Sequence, residues 1–353
     1  MNRIRTLLYE SSVIFLAGVL LAGISITVWR YARGPTLQTF QAEYAAAAIQ
    51  DRQAISARYL RLFPAQDLLV ALEDTYKDTL CHSQAHQFGR ALYEQHKNFS
   101  EAVQQCAGYC SYGCFHGVMM ELFATDSDTL GGAVADESSA QYLAHLTREA
   151  KDVCTKPEVE RVVLPRPCFH GLGHVFAYGT AMDIKKAIAA CGVFTDPLAE
   201  ISCRSGVFME RIFSEATTSE SYIKSVQPCD AFPDSTYMCY RYKAYGWLYI
   251  WHGLAPALKA CDTFGGNSMF CIGATAMAAS SPTLVATDEG INSLCGSLQG
   301  EKRDMCINGA LTKIIDLNDG DDSEHICDAV APAYHERCLD ARKKYRIAVK
   351  YEN

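Results

Sequence analysis

The chain has 353 residues, 49% of them hydrophobic and 20% charged, with a formal charge of -8. Such a composition can fill a core, and it excludes nucleic acid as a partner, because no basic stripe or interleaved basic and aromatic run appears. The length would suit two ordinary domains, but a recurring cysteine pattern argues for one elongated domain that grows by repetition.

Residues 1–10 form a short tail carrying Arg3 and Arg5. Ser11 to Trp29 follows without a charge, and at about 1.5 Å per helical residue it spans roughly the 30 Å hydrocarbon core of a bilayer. The run at 11–29 reads as a single-pass transmembrane anchor. A cleaved signal peptide competes with that reading, since Arg3 and Arg5 make a positive leader, but the run is long and lacks a small-x-small cleavage site before a polar start. Arginines flank it on both sides, so charge does not set its orientation. The cysteines do: an even number in local pairs belongs in an oxidising compartment. They place the bulk of the chain outside the cytoplasm, periplasmic on the inner membrane of a Gram-negative cell.

Gly34-Pro35 breaks the membrane helix, and residues 36–80 read as juxtamembrane helices and a cap. Thr36 to Leu62 predicts one polar, alanine-rich helix that holds the domain away from the bilayer, with Pro64 ending it. Ala65 to Asp78 predicts an amphipathic cap with Leu68, Leu69, Leu72 and Tyr76 on one side.

From 81 to 350 a helix pair repeats, and Cys154 to Cys203 holds one complete copy. After Cys154 and a loop, Cys168-Phe169-His170-Gly171 opens an apolar run to Tyr178, Gly179 breaks it, and Asp183 starts a second run ending at Cys191. Ile184, Ala187, Ile188 and Cys191 fall at i, i+3, i+4 and i+7, one face of a helix. All cysteines but Cys110 then sort into two classes. Cys106, Cys154, Cys191, Cys229, Cys261, Cys295 and Cys327 end a short B helix. Cys81, Cys114, Cys168, Cys203, Cys239, Cys271, Cys306 and Cys338 begin the next A helix. B cysteines after Cys154 recur every 32 to 38 residues, within the range of helical hairpin repeats. Between the second A helix and Cys154, Asp126 to Ala140 has loop chemistry, and Gln141 to Val153 predicts a longer B helix. The basic last unit, with Arg342, Lys343, Lys344, Arg346 and Lys350, reads as a solvated cap.

If each B cysteine pairs with the A cysteine that follows, the bridges are Cys106 to Cys114, Cys154 to Cys168, Cys191 to Cys203, Cys229 to Cys239, Cys261 to Cys271, Cys295 to Cys306 and Cys327 to Cys338. Cys81 and Cys110 remain for an eighth. Structural zinc sites are the rival reading, but they need pairs such as C-x2-C, and the nearest spacing is Cys110-x3-Cys114.

Cys106-x7-Cys114-Phe-His-Gly resembles the cysteine pair and glycine of Sel-like repeats, relatives of tetratricopeptide repeats in cysteine-rich secreted bacterial proteins. Gly171-Leu-Gly-His-Val-Phe-Ala-Tyr-Gly179, then Asp183-Ile-Lys-Lys-Ala-Ile188 and Cys191, is similar to that family's order of helix A, turn and helix B. The resemblance covers about residues 81 to 340 and implies an all-α solenoid, here of about seven disulfide-stapled hairpins, used for recognition.

Two functional expectations follow. In the first, the chain is a membrane-anchored scaffold whose groove engages an envelope protein or peptide, with Tyr242, Tyr245, Trp247, Tyr249 and Trp251 as the contact helix. In the second, it is a metal-dependent enzyme or metal-handling protein. His82, His86, His116, His170 and His174 lie in three consecutive A helices, and H-x3-H sets two imidazoles one turn apart on one face, a chelating spacing. Glu121 and Met119 or Met120 are further candidate ligands, with Glu94 as a supporting carboxylate. Imidazoles suit zinc or copper, and the methionine pair would favour copper. The competing reading makes these histidines packed structural residues; HExxH is absent, and Gly171 and Gly173 point to close helix approach. No nucleophile elbow, phosphate loop or dinucleotide fingerprint assigns a reaction.

Overall fold

The computed structural model describes residues 34–76, 79–106, 108–129, 137–161, 163–216, 227–317 and 324–351, and among these every regular element is helical. The tail and anchor expected at 1–29 lie outside the described residues. No helix among the described residues is long and apolar enough to cross a membrane.

Thr36 starts α1 (Leu37–Ala46) with a reciprocal cap, its hydroxyl accepting from the Thr39 N–H while the Thr39 hydroxyl accepts from the Thr36 N–H. The single helix expected from Thr36 to Leu62 is two helices. Ala47 and Ala48 are extended, Arg52 Nε donates to the Ala47 carbonyl, and the chain reverses into α2 (Arg52–Tyr59). Aromatic burial is the reason: Phe40 packs on Tyr44 and Tyr59 with ring centroids 5.4 and 5.2 Å away. The Tyr44 hydroxyl donates to the Gln84 carbonyl at 2.6 Å, so this segment belongs to the core and is not a spacer. Pro64 caps α3 (Ala65–Thr75), whose Leu68, Leu69 and Leu72 are fully buried as expected.

The remaining helices are α4 (Thr79–His96), α5 (Phe99–Cys106), α6 (Gly113–Thr129), α7 (Glu137–Ala150), α8 (Pro157–Glu160), α9 (Pro165–Gly179), α10 (Ile184–Cys191), α11 (Pro197–Ala216), α12 (Thr236–Ile250), α13 (Leu254–Ala260), α14 (Ser268–Ala279), α15 (Pro282–Val285), α16 (Asp288–Cys295), α17 (Gly300–Leu317) and α18 (His335–Tyr351). The A helices start earlier than their cysteines: Pro165 and Pro197 sit at the first helical position, where a missing N–H costs nothing, so Cys168 and Cys203 lie inside. Cys106, Cys191 and Cys295 end helices as expected, whereas Cys154, Cys229, Cys261 and Cys327 lie in 3-10 turns. The loop expected from Asp126 is narrower, since α6 runs to Thr129 and α7 begins at Glu137.

Long helices pack in succession, α4 on α6, then α9, α11, α12, α14, α17 and α18, in a helical repeat-like arrangement. The last of them also returns to α11, so the second half folds back on itself, where a strictly open array would touch only neighbours. Arg342, expected in a solvated cap, is buried by that return.

All sixteen cysteines are bridged, in the seven pairs expected from the local rule and in the eighth, Cys81 with Cys110, that the rule left over, and their Cα atoms lie 5.0 to 5.8 Å apart. No thiolate is left for zinc. Eight bridges set the chain in an oxidising, extracytoplasmic environment. Closing a loop of about ten residues is worth about 2.5 to 3 kcal/mol in the chain-entropy model, which matters for helices as short as α10 and α16. Replacing Cys295 and Cys306 together by alanine should therefore cost about 2.5 to 3 kcal/mol in urea unfolding under non-reducing conditions. An unchanged unfolding midpoint would contradict a stapling role.

Candidate metal centre

Four helices build the site, in two crossed pairs: α4 with α6, and α9 with α11. Their axes cross where glycines remove the side chain. A methyl on Gly117 would lie 2.0 Å from the His86 carbonyl oxygen, and one on Gly206 would lie 1.9 Å from the His170 carbonyl oxygen. No real side chain fits there, so the backbones touch. The two pairs meet at Gly171, where a methyl would come within 2.6 Å of His116 Cδ2. The close helix approach expected at Gly171 and Gly173 is thus present, against the His116 and Met119 side chains at Gly171 and against the Cys203 carbonyl at Gly173, and it brings histidines from α4, α6 and α9 into one space.

His82, His116, His170 and His174 each turn one nitrogen inward, and these four atoms lie within 4.8 Å of one another. Their other contacts assign the tautomers. His82 Nδ1–H donates to the Ser111 carbonyl at 3.0 Å, and His116 Nε2–H donates to the Pro167 carbonyl at 2.8 Å. Each of these rings then has one lone pair left, and the two lone-pair nitrogens, His82 Nε2 and His116 Nδ1, face each other at 3.1 Å. Two acceptors cannot hydrogen-bond. A shared cation would resolve the contact: two nitrogens bound to one tetrahedral ion at about 2.05 Å are about 3.3 Å apart.

His174 repeats the pattern. Its Nδ1–H donates to Glu210 Oε2 at 2.7 Å, and its Nε2 is fully buried without a hydrogen-bond partner. A carboxylate behind an imidazole fixes the ring and raises its basicity, the arrangement found behind metal-bound histidines. His170 Nε2 lies 3.3 Å from Met209 Sδ and is the most accessible of the four. Burial in the protein interior, followed by the neighbouring His174, lowers the His82 pKa to about 3. His116 and His170 are held well below the usual imidazole range by the same burial and by neighbouring imidazoles. His82, His116 and His170 are therefore neutral at physiological pH, the form that ligates.

Around Ser111 the backbone is strained into this service. Cys110, Ser111 and Tyr112 all have positive φ (51, 51 and 66°), a region that side-chain-bearing residues rarely occupy. The bridge from Cys110 to Cys81, next to His82, and a hydrogen bond from the Cys110 N–H to the Glu73 carboxylate hold the turn that presents the Ser111 carbonyl.

Other expected ligands fall elsewhere. His86 lies against the cluster, its ring centroid 4.8 Å from that of His174, but it is not one of the four converging groups, and its Nδ1 is 3.9 Å from Glu210. Glu121 is taken by Arg90, whose Nε donates to it at 2.6 Å. Glu94 pairs with Lys97 at the surface, and Met119 and Met120 are core residues. The thioether and carboxylate at the cluster are Met209 and Glu210, neither of which the histidine pattern points to. A signal for them exists in the repeat, since Cys114-Phe-His-Gly-Val-Met-Met-Glu121 and Cys203-Arg-Ser-Gly-Val-Phe-Met-Glu210 share Cys-x2-Gly-Val-x-Met-Glu. The crossings carry the same correspondence: Gly89 meets Cys114 as Gly173 meets Cys203, which makes Arg90 and His174 equivalent positions. An Arg90–Glu121 ion pair in the first helix pair becomes a His174–Glu210 pair in the second.

The aromatic stretch expected as a contact surface is mostly core. Tyr242 and Trp247 are buried, and Trp247 stacks on Trp251 with centroids 5.9 Å apart. Tyr245 lines a cleft of about 440 Å³ above the cluster, with His82, His116 and His170 also in its walls. The Tyr249 side chain lies outside what is described. The chain matches no family model, no curated protein and no solved structure.

The crossing predicts a sharp contrast between glycines. Gly117→Ala should destabilise the chain by about 3 kcal/mol or more, because the clash is with backbone. Gly266→Ala, with open space around it, should stay within about 0.5 kcal/mol. Equal urea midpoints for the two variants would contradict the packing account.

Proposed function

We propose that this chain is a metal-binding protein of an oxidising compartment, holding zinc or copper through His82, His116, His170 and His174. One observation carries the reading: two buried imidazoles point lone pairs at each other across 3.1 Å while their remaining nitrogens are committed to carbonyls. Neutral imidazoles suit both metals, and the Met209 thioether beside His170 favours copper. Through His170 the centre opens on the cleft, so a bound ion has an accessible side, as a metal-handling or catalytic centre requires and a closed structural site does not.

The charge-free run at 11–29 supports a tether to the membrane, and the recurring hairpins support a solenoid-like scaffold of the Sel-like kind that positions the centre. The reading of the chain as a partner-binding scaffold is weaker, because Tyr242 and Trp247, two of its five intended contacts, are buried.

Full-length chain purified with its disulfides intact and reconstituted with zinc or copper should carry about one ion per chain by elemental analysis. The His82→Ala, His116→Ala variant should fall to about a tenth of that or less, since two of four ligands are gone. A His325→Ala, His335→Ala variant, altered at exposed rings beside Asp328, should keep its metal. Equal metal content in all three proteins, or none in any, would overturn the proposal.

A further inference from the structure

Three cations reach the cleft above the imidazoles: Arg166 from α9, Arg241 from α12 and Lys313 from α17. No carboxylate lines it among the described residues, although the chain as a whole carries a formal charge of -8. Three cationic side chains and no carboxylate in the lining set the cleft wall against the sign of the molecule, and a recessed, partly desolvated wall focuses the field of the groups that face it.

Aromatic rings hold two of these cations in place. The Arg241 guanidinium lies 5.4 Å from the Tyr242 ring centroid, and Lys313 Nζ lies 5.9 Å from that of Tyr245 while donating to the Tyr245 hydroxyl at 3.3 Å. Tyr242 is itself fixed by a hydrogen bond with the Ser205 hydroxyl. The cations come from three separate helices, and only the fold-back of the second half brings α17 to the cleft. That all three line the cleft that His170 also lines is a property of the tertiary structure.

We propose that the cleft binds an oxyanion, a carboxylate or phosphate group, between Arg241 and Lys313 and over His170. Planar guanidinium and ammonium groups offer charge-assisted hydrogen bonds to such oxygens, and a metal on the imidazole floor would add a further positive partner. The assignment of a metal-facing anion rests on the metal reading above. The selectivity for negative charge rests on the cleft's own side chains.

Cobalt(II)-loaded full-length chain separates the two, because the visible absorption of the ion reports metal binding before any anion is added. Titration with inorganic phosphate and, separately, acetate should change that spectrum saturably for at least one of them, and the stronger response identifies the anion class. Tetramethylammonium should produce no change. Arg241→Gln and Lys313→Gln should each keep the cobalt content and weaken anion affinity about tenfold, the loss of one charge-assisted hydrogen bond. A cobalt spectrum that responds to neither anion, or responds equally in the variants, would overturn the inference and leave the metal reading standing. If cobalt does not bind, zinc or copper reconstitution alone decides the metal reading, and calorimetry of phosphate and acetate on the metal-free chain decides the anion claim. Binding weakened by Arg241→Gln would uphold it, and no binding would overturn it.

Discussion

Backbone contact between long helices is the constraint from which the rest follows. Where Gly117 meets the His86 carbonyl and Gly206 meets the His170 carbonyl, helix axes approach more closely than any side chain would allow. Helices kept apart by leucines would lie about 8 to 10 Å apart, with their polar side chains pointing past one another. Here the crossings are tight enough that imidazoles from α4, α6 and α9 share one buried space, and Gly171 leaves room for the His116 ring between the two pairs. A buried cluster of polar rings is costly unless each nitrogen finds a partner. The carbonyls of Ser111 and Pro167 and the Glu210 carboxylate meet part of that demand. What remains is a set of lone pairs facing inward, and the proposed cation would satisfy them.

Disulfides make this arrangement affordable to short helices. Seven of the eight bridges join neighbours in sequence, so their loops are small and each unit is fixed next to the one before it. Cys81 and Cys110 depart from that rule, spanning 29 residues, and they are the pair beside the site. Their bridge holds the left-handed turn that turns the Ser111 carbonyl to His82. Oxidation and the proposed metal affinity would thereby be linked, because the tautomer of His82 depends on a turn that the bridge secures.

Much of this was legible in the sequence, for reasons that can be named. Cysteine pairing is local, so a single rule sufficed, and helical periodicity identified α10 and the apolar face of α3. The break between α1 and α2 was not legible, because Ala47 and Ala48 accept helix or extended backbone alike and the decision lies with Phe40, Tyr44 and Tyr59 packing together. The histidines drew notice by type and spacing, but Glu121 and Glu210, at equivalent positions of one motif, face Arg90 and His174 respectively, and only the crossings show which residue stands opposite each. The cleft's charge was hidden for another reason: Lys313 and Tyr245 are 68 residues apart, and no local pattern joins them.

The central claim is that imidazole nitrogens from three helices converge on one ion. X-ray absorption at the edge of the bound metal in the reconstituted chain tests it most directly. The account predicts an inner shell dominated by nitrogen at about 2.0 to 2.1 Å, with the outer-shell scattering of several imidazole rings. A shell made of oxygen alone, or one lacking imidazole scattering, would contradict it.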